Sequence, residues 1–285
     1  MNEKLDSTMW PDQPLGRDVA GTEQSVTDIT REATVDYMQR QYVPNNVVVA
    51  VAGAIEHEEV VAFVDNALGS WASGTPSAWF PARDGQDAPR FAMKPKTTEQ
   101  AHIEIAVQAC SSQDPDRFAL DLISVILGEG MSSRLFLSVR EELGLAYDVG
   151  SGISEYADTG SLGIYAGVDP DKLEPALAAI LAELIRLRDH DVPPDELAKA
   201  KAYLSGGLEL RMDDTRHLAS WIGGQEALHE RVLTLDEALE AVAAVTAADV
   251  RRVAGELFRE DRLRLAVVAP RGHGLGLDRT LRLPA

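Results

Sequence analysis

Residues 29–51, ITREATVDYMQRQYVPNNVVVAV, have a counterpart without gaps 216 positions later, VTAADVRRVAGELFREDRLRLAV at residues 245–267. In each copy a threonine opens a helical pattern, an aromatic residue lies near its end, and alternating apolar residues follow. The openings are Ile29-Thr30 and Val245-Thr246; the aromatics are Tyr42 and Phe258; the alternating positions are Val47, Val49 and Val51, and Leu263, Leu265 and Val267. Each copy therefore predicts a helix followed by a strand, a unit repeated once per domain.

The two copies are separated by a stretch rich in proline, glycine, serine and charge that lacks helical or strand periodicity. We assign residues 73–90 to an exposed linker, residues 1–72 to the later part of a first domain, and residues 91–285 to a complete second domain. Applied to the second domain, the 216-residue shift places the start of the first about 125 residues before Met1. We therefore expect the sequence to lack that part of the first domain.

The second domain predicts a sheet covered by helices. Ala101 to Cys110 alternates apolar and polar residues as a half-buried strand does, and 145–154 and 160–168 predict an antiparallel pair. Amphipathic helices are expected over 114–127, from Asp169-Pro170 onward, over 195–210 and twice within 215–255. Pro175 is unfavourable inside a helix, so the regular part of the second is expected to begin later than its cap. These elements predict an α+β fold, a two-layer sandwich with an antiparallel-rich sheet and helices on one face.

Composition excludes several classes of partner. The formal net charge of −19 and the isoelectric point near 4.7 argue against nucleic acid and anionic membranes, and favour basic peptides. No run approaches the roughly 18 apolar residues of a membrane span, and the N-terminus does not resemble a signal peptide. The single cysteine, Cys110, excludes an intramolecular disulfide, and no neighbouring base makes it a nucleophile. We expect a cytoplasmic protein.

The motif with chemical interest is SSRLFLSVREELGLAYDV at residues 132–149. Ser132 or Ser133 is expected to cap a helix, an apolar stripe of Leu135, Phe136 and Val139 to pack inward, and Gly144 to end it. Arg140 and Tyr147 then fall on either side of the turn, where two hydrogen-bond donors suit recognition of a peptide carbonyl. Structural roles stay open at this point: Arg140 as a cation at the helix C-terminus paired with Glu141, Tyr147 as a strand aromatic.

This motif resembles the second-domain signature of the pitrilysin/insulinase (M16) zinc metallopeptidases. The stretch WPDQPLGR near the start and the following GTEQSVTDITREATVDYMQRQYVPNNVVVAVAG resemble the later half of the family's zinc-bearing domain. The resemblance implies an M16-type fold with one partial and one complete domain, with Arg140 and Tyr147 contacting substrate from the non-zinc half. It also implies zinc held by an HxxEH motif and a downstream glutamate, with the motif's glutamate as the base.

This chain contains no HxxEH, and its six histidines are scattered: His57, His102, His190, His217, His229 and His273. The acids around His57 suit a helix start, and His102 with Glu104 is interpreted as structural. We therefore assign no catalytic and no metal-binding residue, and expect zinc in the full-length family member but none in this chain. Gly128 and Gly130 predict a turn, and Trp221 with Gly223-Gly224 a helix junction.

Three functions remain open from the sequence. The leading hypothesis is a fragment of an M16-like zinc metalloendopeptidase that supplies the substrate-binding, non-zinc half of a peptide-hydrolysing chamber and cleaves nothing alone. The alternative is a non-catalytic subunit that pairs with a zinc-bearing homologue. A third is a stand-alone module that binds basic peptides. Because the incomplete first domain leaves an apolar face over residues 30–52, we also expect association with a homologous subunit or self-association.

Overall fold

A computed structural model describes residues 2–83, 85, 88–229, 231–274 and 276–283. The chain divides into two compact units. The sheet unit comprises residues 1–18, 82–205 and 239–285, and the helical unit comprises residues 19–81 and 206–238. These units group the chain differently from the division at residues 73–90, because residues 206–238 pack with 19–81. The division into residues 1–72, 73–90 and 91–285 follows the sequence repeat, and it stays a prediction.

In the described residues the helices have the following bounds: α1 Asn2–Met9, α2 Glu23–Asp28, α3 Arg31–Gln41, α4 His57–Leu68, α5 Arg117–Gly128, α6 Leu173–Asp189, α7 Pro194–Met212, α8 Thr215–Leu228, α9 Leu235–Ala244, α10 Ala247–Leu257 and α11 Leu277–Thr280. The strands are β1 Arg90–Pro95, β2 Ala101–Ala109, β3 Ala146–Glu155, β4 Gly160–Val168 and β5 Arg264–Ala269. None of these helices combines the length and apolar character that a membrane-spanning segment requires.

The five strands form one sheet in the order β1-β5-β2-β4-β3. Only β1 and β5 pair in parallel; the other neighbours are antiparallel, with Ile103 opposite Ala166 and Ile105 opposite Ile164. The predicted strands β2, β3 and β4 and the antiparallel-rich α+β architecture are confirmed. Strand β1 was not predicted, because it is short, contains Lys94 and Pro95, and directly follows the linker.

The alternation of β2 divides its side chains between two layers. Ile103, Ile105 and Val107 are at most 2% exposed, and α5, α6 and α10 pack on the sheet. Removing each such side chain from water stabilises the fold by about 1.5–3 kcal/mol. On the other face of β2, Ala106 belongs to a cluster with Trp10, which together with Leu5 and Met9 anchors α1.

Helix α6 shows how a proline is accommodated. The carboxylate of Asp169 accepts a hydrogen bond from the N–H of Asp171 (2.9 Å), and a 3₁₀ turn over Pro170–Lys172 precedes the helix. Since α6 begins at Leu173, Pro175 lies in its first turn, where a backbone N–H has no partner within the helix. The expectation of a late helix start is confirmed.

The internal repeat is confirmed for the helices. Helix α3 and helix α10 have bounds that differ by 216 at both ends, as do the 3₁₀ turns Pro44–Asn46 and Glu260–Arg262. The N-cap threonines make equivalent bonds, since Thr30 accepts from the N–H of Ala33 (3.1 Å) and Thr246 from that of Asp249 (3.2 Å).

The predicted strand of the first copy is wrong. Residues 47–51 have no strand pairing in the described part of the chain, although their counterparts lead into and form β5. Their sequence favours an extended backbone, but a strand also requires a neighbour that receives its hydrogen bonds. In the helical unit no described segment takes that place.

Candidate functional site

The motif helix is π-helical over Phe136–Glu142. The N–H of Leu143 donates to the carbonyl of Ser138, five residues earlier (3.1 Å). A π-helical turn accommodates one more residue than an α-helical turn, and such turns concentrate at functional sites. Leu135 and Val139 are fully buried, as the predicted apolar stripe requires, whereas Phe136 is half-buried. The extra residue thus falls in the turn that carries Arg140.

Two side-chain contacts fix the start of this helix. The guanidinium of Arg134 donates two hydrogen bonds to the carboxylate of Glu196 in α7, at 2.8 and 2.7 Å, and the pair is largely buried. The hydroxyl of Ser133 donates to the carbonyl of Gly130 (2.8 Å), which stabilises the preceding turn. The bidentate pair has the geometry that gives arginine its directional specificity, so the motif is held against a rigid helix.

Gly144 ends the helix with φ of +58°, in the left-handed region, as predicted. Its carbonyl accepts a hydrogen bond from Nζ of Lys172 at 3.0 Å. The N–H of Leu145 donates to the carbonyl of Val139 (2.9 Å), so the chain reverses directly into β3. Lys172 was not anticipated from the sequence, because it lies 28 residues from its partner.

Tyr147 occupies a β-bulge at the start of β3. Ala146 lies opposite Val168 and Asp148 lies opposite Gly167, so Tyr147 is an extra residue with no opposing partner on β4. Bulges redirect a side chain and are common beside active sites. The Tyr147 side chain is 75% exposed. It is therefore available to a ligand, and the alternative of a packed strand aromatic does not describe it.

Arg140 is partly fixed by its neighbours. Its guanidinium lies over the ring of Phe136, 4.7 Å from the centroid, and its Nε lies 3.7 Å from a carboxylate oxygen of Glu141. The predicted ion pair with Glu141 is present, but at 40% and 56% side-chain exposure it contributes little to stability. The Phe136 contact was missed, although the i, i+4 spacing of the two residues is its signal.

The corner formed by the π-helix, Gly144 and the bulge therefore presents an arginine and a tyrosine, each from an element with one extra residue. Both side chains donate hydrogen bonds, and the guanidinium adds a permanent positive charge. Such groups bind a carbonyl oxygen or a developing oxyanion, but neither is a base that activates water. That both contact one substrate stays a prediction.

The remaining candidate residues have structural environments. Nδ1 of His102 lies 2.9 Å from the hydroxyl of Tyr165, and their rings stack. Burial raises the pKa of Glu104, which is directly opposite Tyr165. Burial also raises the pKa of the Cys110 thiol to about 12, which suits the absence of a nucleophilic role. His57 opens α4, as predicted.

The family zinc has no matching ligands here. In the part of the chain that the structure describes, no three histidine, cysteine, aspartate or glutamate side chains are grouped so that they could hold a metal ion. The HxxEH sequence is absent from all 285 residues. No catalytic step through a metal is therefore derived for this chain.

The helical unit contains an apolar cavity of about 690 Å³. Residues 47–51, one side of α4 and Ile222 of α8 line it. Trp221 and Gly223-Gly224 lie inside α8, so the predicted helix junction is wrong. The glycine at 223 does permit close packing, since a Cβ there would lie 2.7 Å from Cβ of Ala50.

The sequence of this chain matches a known protein family. The profile of the family described as "Peptidase M16 inactive domain" matches residues 28–204. A relative from Streptomyces coelicolor, named an uncharacterized zinc protease, is 36% identical over 92% of this chain and 58% of its own length. A relative of the same description from Bacillus subtilis is 31% identical over 96% of this chain and 66% of its own length. The chain thus spans about three fifths of the Streptomyces relative.

Solved structures show the same fold. A protease from Helicobacter pylori superposes with a TM-score of 0.87 at 20% identity, covering 93% of this chain and 65% of that one. A chain of complex III2 from Candida albicans gives a TM-score of 0.87 at 21% identity, covering 98% of this chain and 68% of that one. At these identities the likeness concerns the fold.

Proposed function

Because this chain belongs to the M16 peptidase family, whose relatives are named zinc proteases, we propose that it contributes the substrate-contacting, non-zinc half of a peptide-hydrolysing chamber. Arg140 and Tyr147 contact the peptide in this proposal. The zinc and its HxxEH ligands belong to a different polypeptide segment, so the 285-residue chain alone cleaves no peptide. The division into residues 1–72, 73–90 and 91–285 is part of the same proposal.

The observation that carries the proposal is the pair of one-residue insertions at a single corner. A π-helix carries Arg140 and a β-bulge carries Tyr147, and only a short turn through Gly144 separates them. Each insertion disturbs a regular hydrogen-bond pattern, and such irregularities are retained where they aim a side chain. Tyr147 is largely exposed, so the corner gains no packing energy from it.

Peptide recognition follows from the donors. The guanidinium offers five N–H groups and the phenol one O–H, whereas a peptide carbonyl offers two lone pairs. The ring of Phe136 under the guanidinium restricts Arg140 without consuming its outward N–H groups. The two side chains therefore suit a backbone carbonyl of an extended substrate, and the strongly acidic balance of the chain favours basic peptides.

The test measures capture of fluorescein-labelled peptides from a casein digest by the purified chain, using fluorescence anisotropy. Arg140→Ala and Tyr147→Phe should each weaken capture, by about 1–3 kcal/mol for a charged donor and about 1 kcal/mol for a neutral one. Arg40→Ala and Tyr37→Phe are matched controls, because Arg40 is 61% and Tyr37 56% exposed and both belong to the helical unit, whereas the corner belongs to the sheet unit. Capture that is salt-sensitive but unaffected at Arg140 would favour the stand-alone basic-peptide module instead.

Absence of cleavage by the chain alone is checked separately. The same labelled peptides are incubated with the purified chain with and without a chelator, and products are followed by mass spectrometry. We expect no chelator-sensitive cleavage. Peptide cleavage that a chelator abolishes would refute this part of the proposal.

The second candidate function is a non-catalytic subunit that pairs with a zinc-bearing homologue. It is favoured by one observation: residues 48–53 of the helical unit have no strand neighbours in the described part of the chain, whereas their repeat counterpart β5 has two. Copurification from source cells with an HxxEH-containing homologue is the expected result. A chain recovered free of any such homologue would count against pairing.

A further inference from the structure

One peptide unit joins the two halves of the corner. It links Gly144 to Leu145, between the π-helix and β3. Its N–H belongs to Leu145 and donates to the carbonyl of Val139, within the π-helix, at 2.9 Å. Its carbonyl belongs to Gly144 and accepts from Nζ of Lys172 at 3.0 Å. The peptide unit is therefore held on both sides, by the π-helix and by a lysine that follows β4.

The orientation of this peptide unit affects where Tyr147 lies. Rotation of the unit changes ψ of Gly144 and φ of Leu145, the two angles that set the direction in which the chain enters β3. Ala146 starts that strand, and Tyr147 follows in the bulge. The position of the phenol relative to Arg140 therefore depends on how the peptide unit is fixed.

Side-chain packing does little to fix this turn. Leu143 is 56% and Tyr147 75% exposed, and a Cβ on Gly144 would meet no atom within 4 Å beyond its chain neighbours. Glycine also has more backbone freedom than any other residue. A segment with few buried apolar contacts opens easily. Hydrogen bonds to the backbone therefore determine how well this turn is ordered.

The backbone of Lys172 is itself well anchored. Strand β4 ends at Val168, which lies opposite Ala146, so the chains that lead to Lys172 and to Gly144 are adjacent at this end of the sheet. The N–H of Lys172 donates to the carbonyl of Asp169 (2.9 Å). The next residue starts α6 and is buried. The lysine side chain thus extends to the turn from a fixed position.

The charge of Lys172 suits its acceptor. Carbonyls at the end of a helix lack partners within the helix and carry a partial negative charge. Gly144 lies directly after Leu143, the C-cap of the π-helix. An ammonium group makes a charge-assisted hydrogen bond, which is stronger than a bond between neutral groups. Methionine is similar in length but has no donor, so Lys172→Met removes the bond with little change in volume.

We propose that Lys172 is a positioning residue for peptide binding. Its bond to Gly144 fixes the peptide unit before β3 and thereby orients Tyr147. The phenol and the guanidinium of Arg140 can then bind one carbonyl of the substrate, and Lys172 does not touch the peptide. Without the bond the corner adopts other orientations, and the affinity falls by the fraction of the chain that stays competent. The inference rests on the proposed function, in which both side chains contact the peptide.

The first measurement uses no peptide. Hydrogen exchange with mass spectrometry compares residues 143–148 in the full 285-residue parent, in Lys172→Met and in Lys172→Arg. We expect Lys172→Met to speed exchange about three- to tenfold, because the loss of one hydrogen bond shifts the opening equilibrium by about that factor. Lys172→Arg keeps a charged donor and should exchange within about twofold of the parent.

The second measurement is capture of the labelled casein peptides by fluorescence anisotropy. Lys172→Met should weaken capture about three- to tenfold, and Lys172→Arg should restore it. Lys201→Met is the matched control, because Nζ of Lys201 donates to the carbonyl of Ala243 (2.6 Å), a bond that joins α7 to α9 and does not involve residues 136–148. It also removes a lysine–carbonyl bond, so it should lower stability to urea about as much as Lys172→Met while leaving capture unchanged.

A double-mutant cycle separates positioning from direct contact. In the Tyr147→Phe background the hydroxyl that Lys172 orients is gone, so adding Lys172→Met should change capture by less than about twofold. An undiminished effect in that background would mean that Lys172 contacts the peptide itself, and this result would overturn the inference.

Two further results would overturn it. Unchanged exchange over residues 143–148 in Lys172→Met would show that the bond does not hold the turn. Faster exchange with parental capture would show that the order of the turn does not serve binding. A parent chain that captures no peptide would instead refute the proposed function, so the failure of that proposal is distinguishable from a failure at Lys172.

Discussion

Val51 and Val267 are the same residue type at the same position of the repeat, so truncating each to alanine compares one change in two environments. Val267→Ala removes two methyl-sized groups from a site that is 1% exposed. At about 0.8 kcal/mol for each group, plus a term for the cavity left in a packed sheet, the expected loss is about 2–3 kcal/mol. Val51 is 51% exposed, so Val51→Ala loses only about half of the transfer free energy and leaves no closed cavity. The expected loss of stability is about 0.5–1 kcal/mol.

The assay is native-state hydrogen exchange, because it reports the free energy of opening for each part of the chain separately. Peptides from α10 and β5 report on Val267→Ala, and peptides from α3 report on Val51→Ala. An equal loss of about 2–3 kcal/mol in both variants would refute the reasoning, since it would require residues 48–53 to be covered in the isolated chain.

Three further predictions concern single sites. Burial, with Glu155 and Glu129 nearby, raises the pKa of Asp121 to about 7. The contribution of Asp121 to stability is therefore complete below pH 4 and is lost as pH rises through 7. In urea denaturation, Asp121→Asn should be more stable than the parent by about 2 kcal/mol at pH 8 and similar to it at pH 4. Gly144→Ala should lower the free energy of unfolding by about 1 kcal/mol, because an alanine side chain disfavours the left-handed backbone at this position. Gly152→Ala, where a Cβ also meets open space but φ is not positive, should lower it less in the same assay. Cys110, with a pKa of about 12, should react with iodoacetamide at pH 8 about a thousandfold more slowly than in the urea-unfolded chain.

The sequence predicted those elements whose pattern is local. Strand β2 follows from its alternation, and the helices α3 and α10 follow from their threonine caps and apolar spacing. The late start of α6 follows from Pro175, because proline fits only the first turn. Physical rules acting over a few residues were sufficient for these parts of the fold.

The features that the sequence did not predict depend on partners elsewhere in the chain. The π-helix and the bulge at Tyr147 each add one residue, which leaves the order of apolar and polar residues almost unchanged. Residues 47–51 have the composition of a strand, but pairing requires a neighbour that the described residues do not provide. The bond from Lys172 to Gly144 joins residues 28 positions apart. Arg140 and Tyr147 were identified as candidates, whereas the two backbone irregularities that present them were not.

The strand order β1-β5-β2 has a consequence for synthesis on the ribosome. Strands β1 and β2 are made before β5, yet they do not pair with each other. Each of them pairs with β5, which begins at residue 264, about 150 residues after the end of β2. At about 5–20 residues per second, the nascent chain holds β1 unpaired for roughly 8–30 seconds. During that interval β2 can form its antiparallel bonds with β4, but its other edge stays open. Among the described strands, the central strand that completes the sheet is also the last to be made, so this sheet can close only after residues 264–269 have left the ribosome.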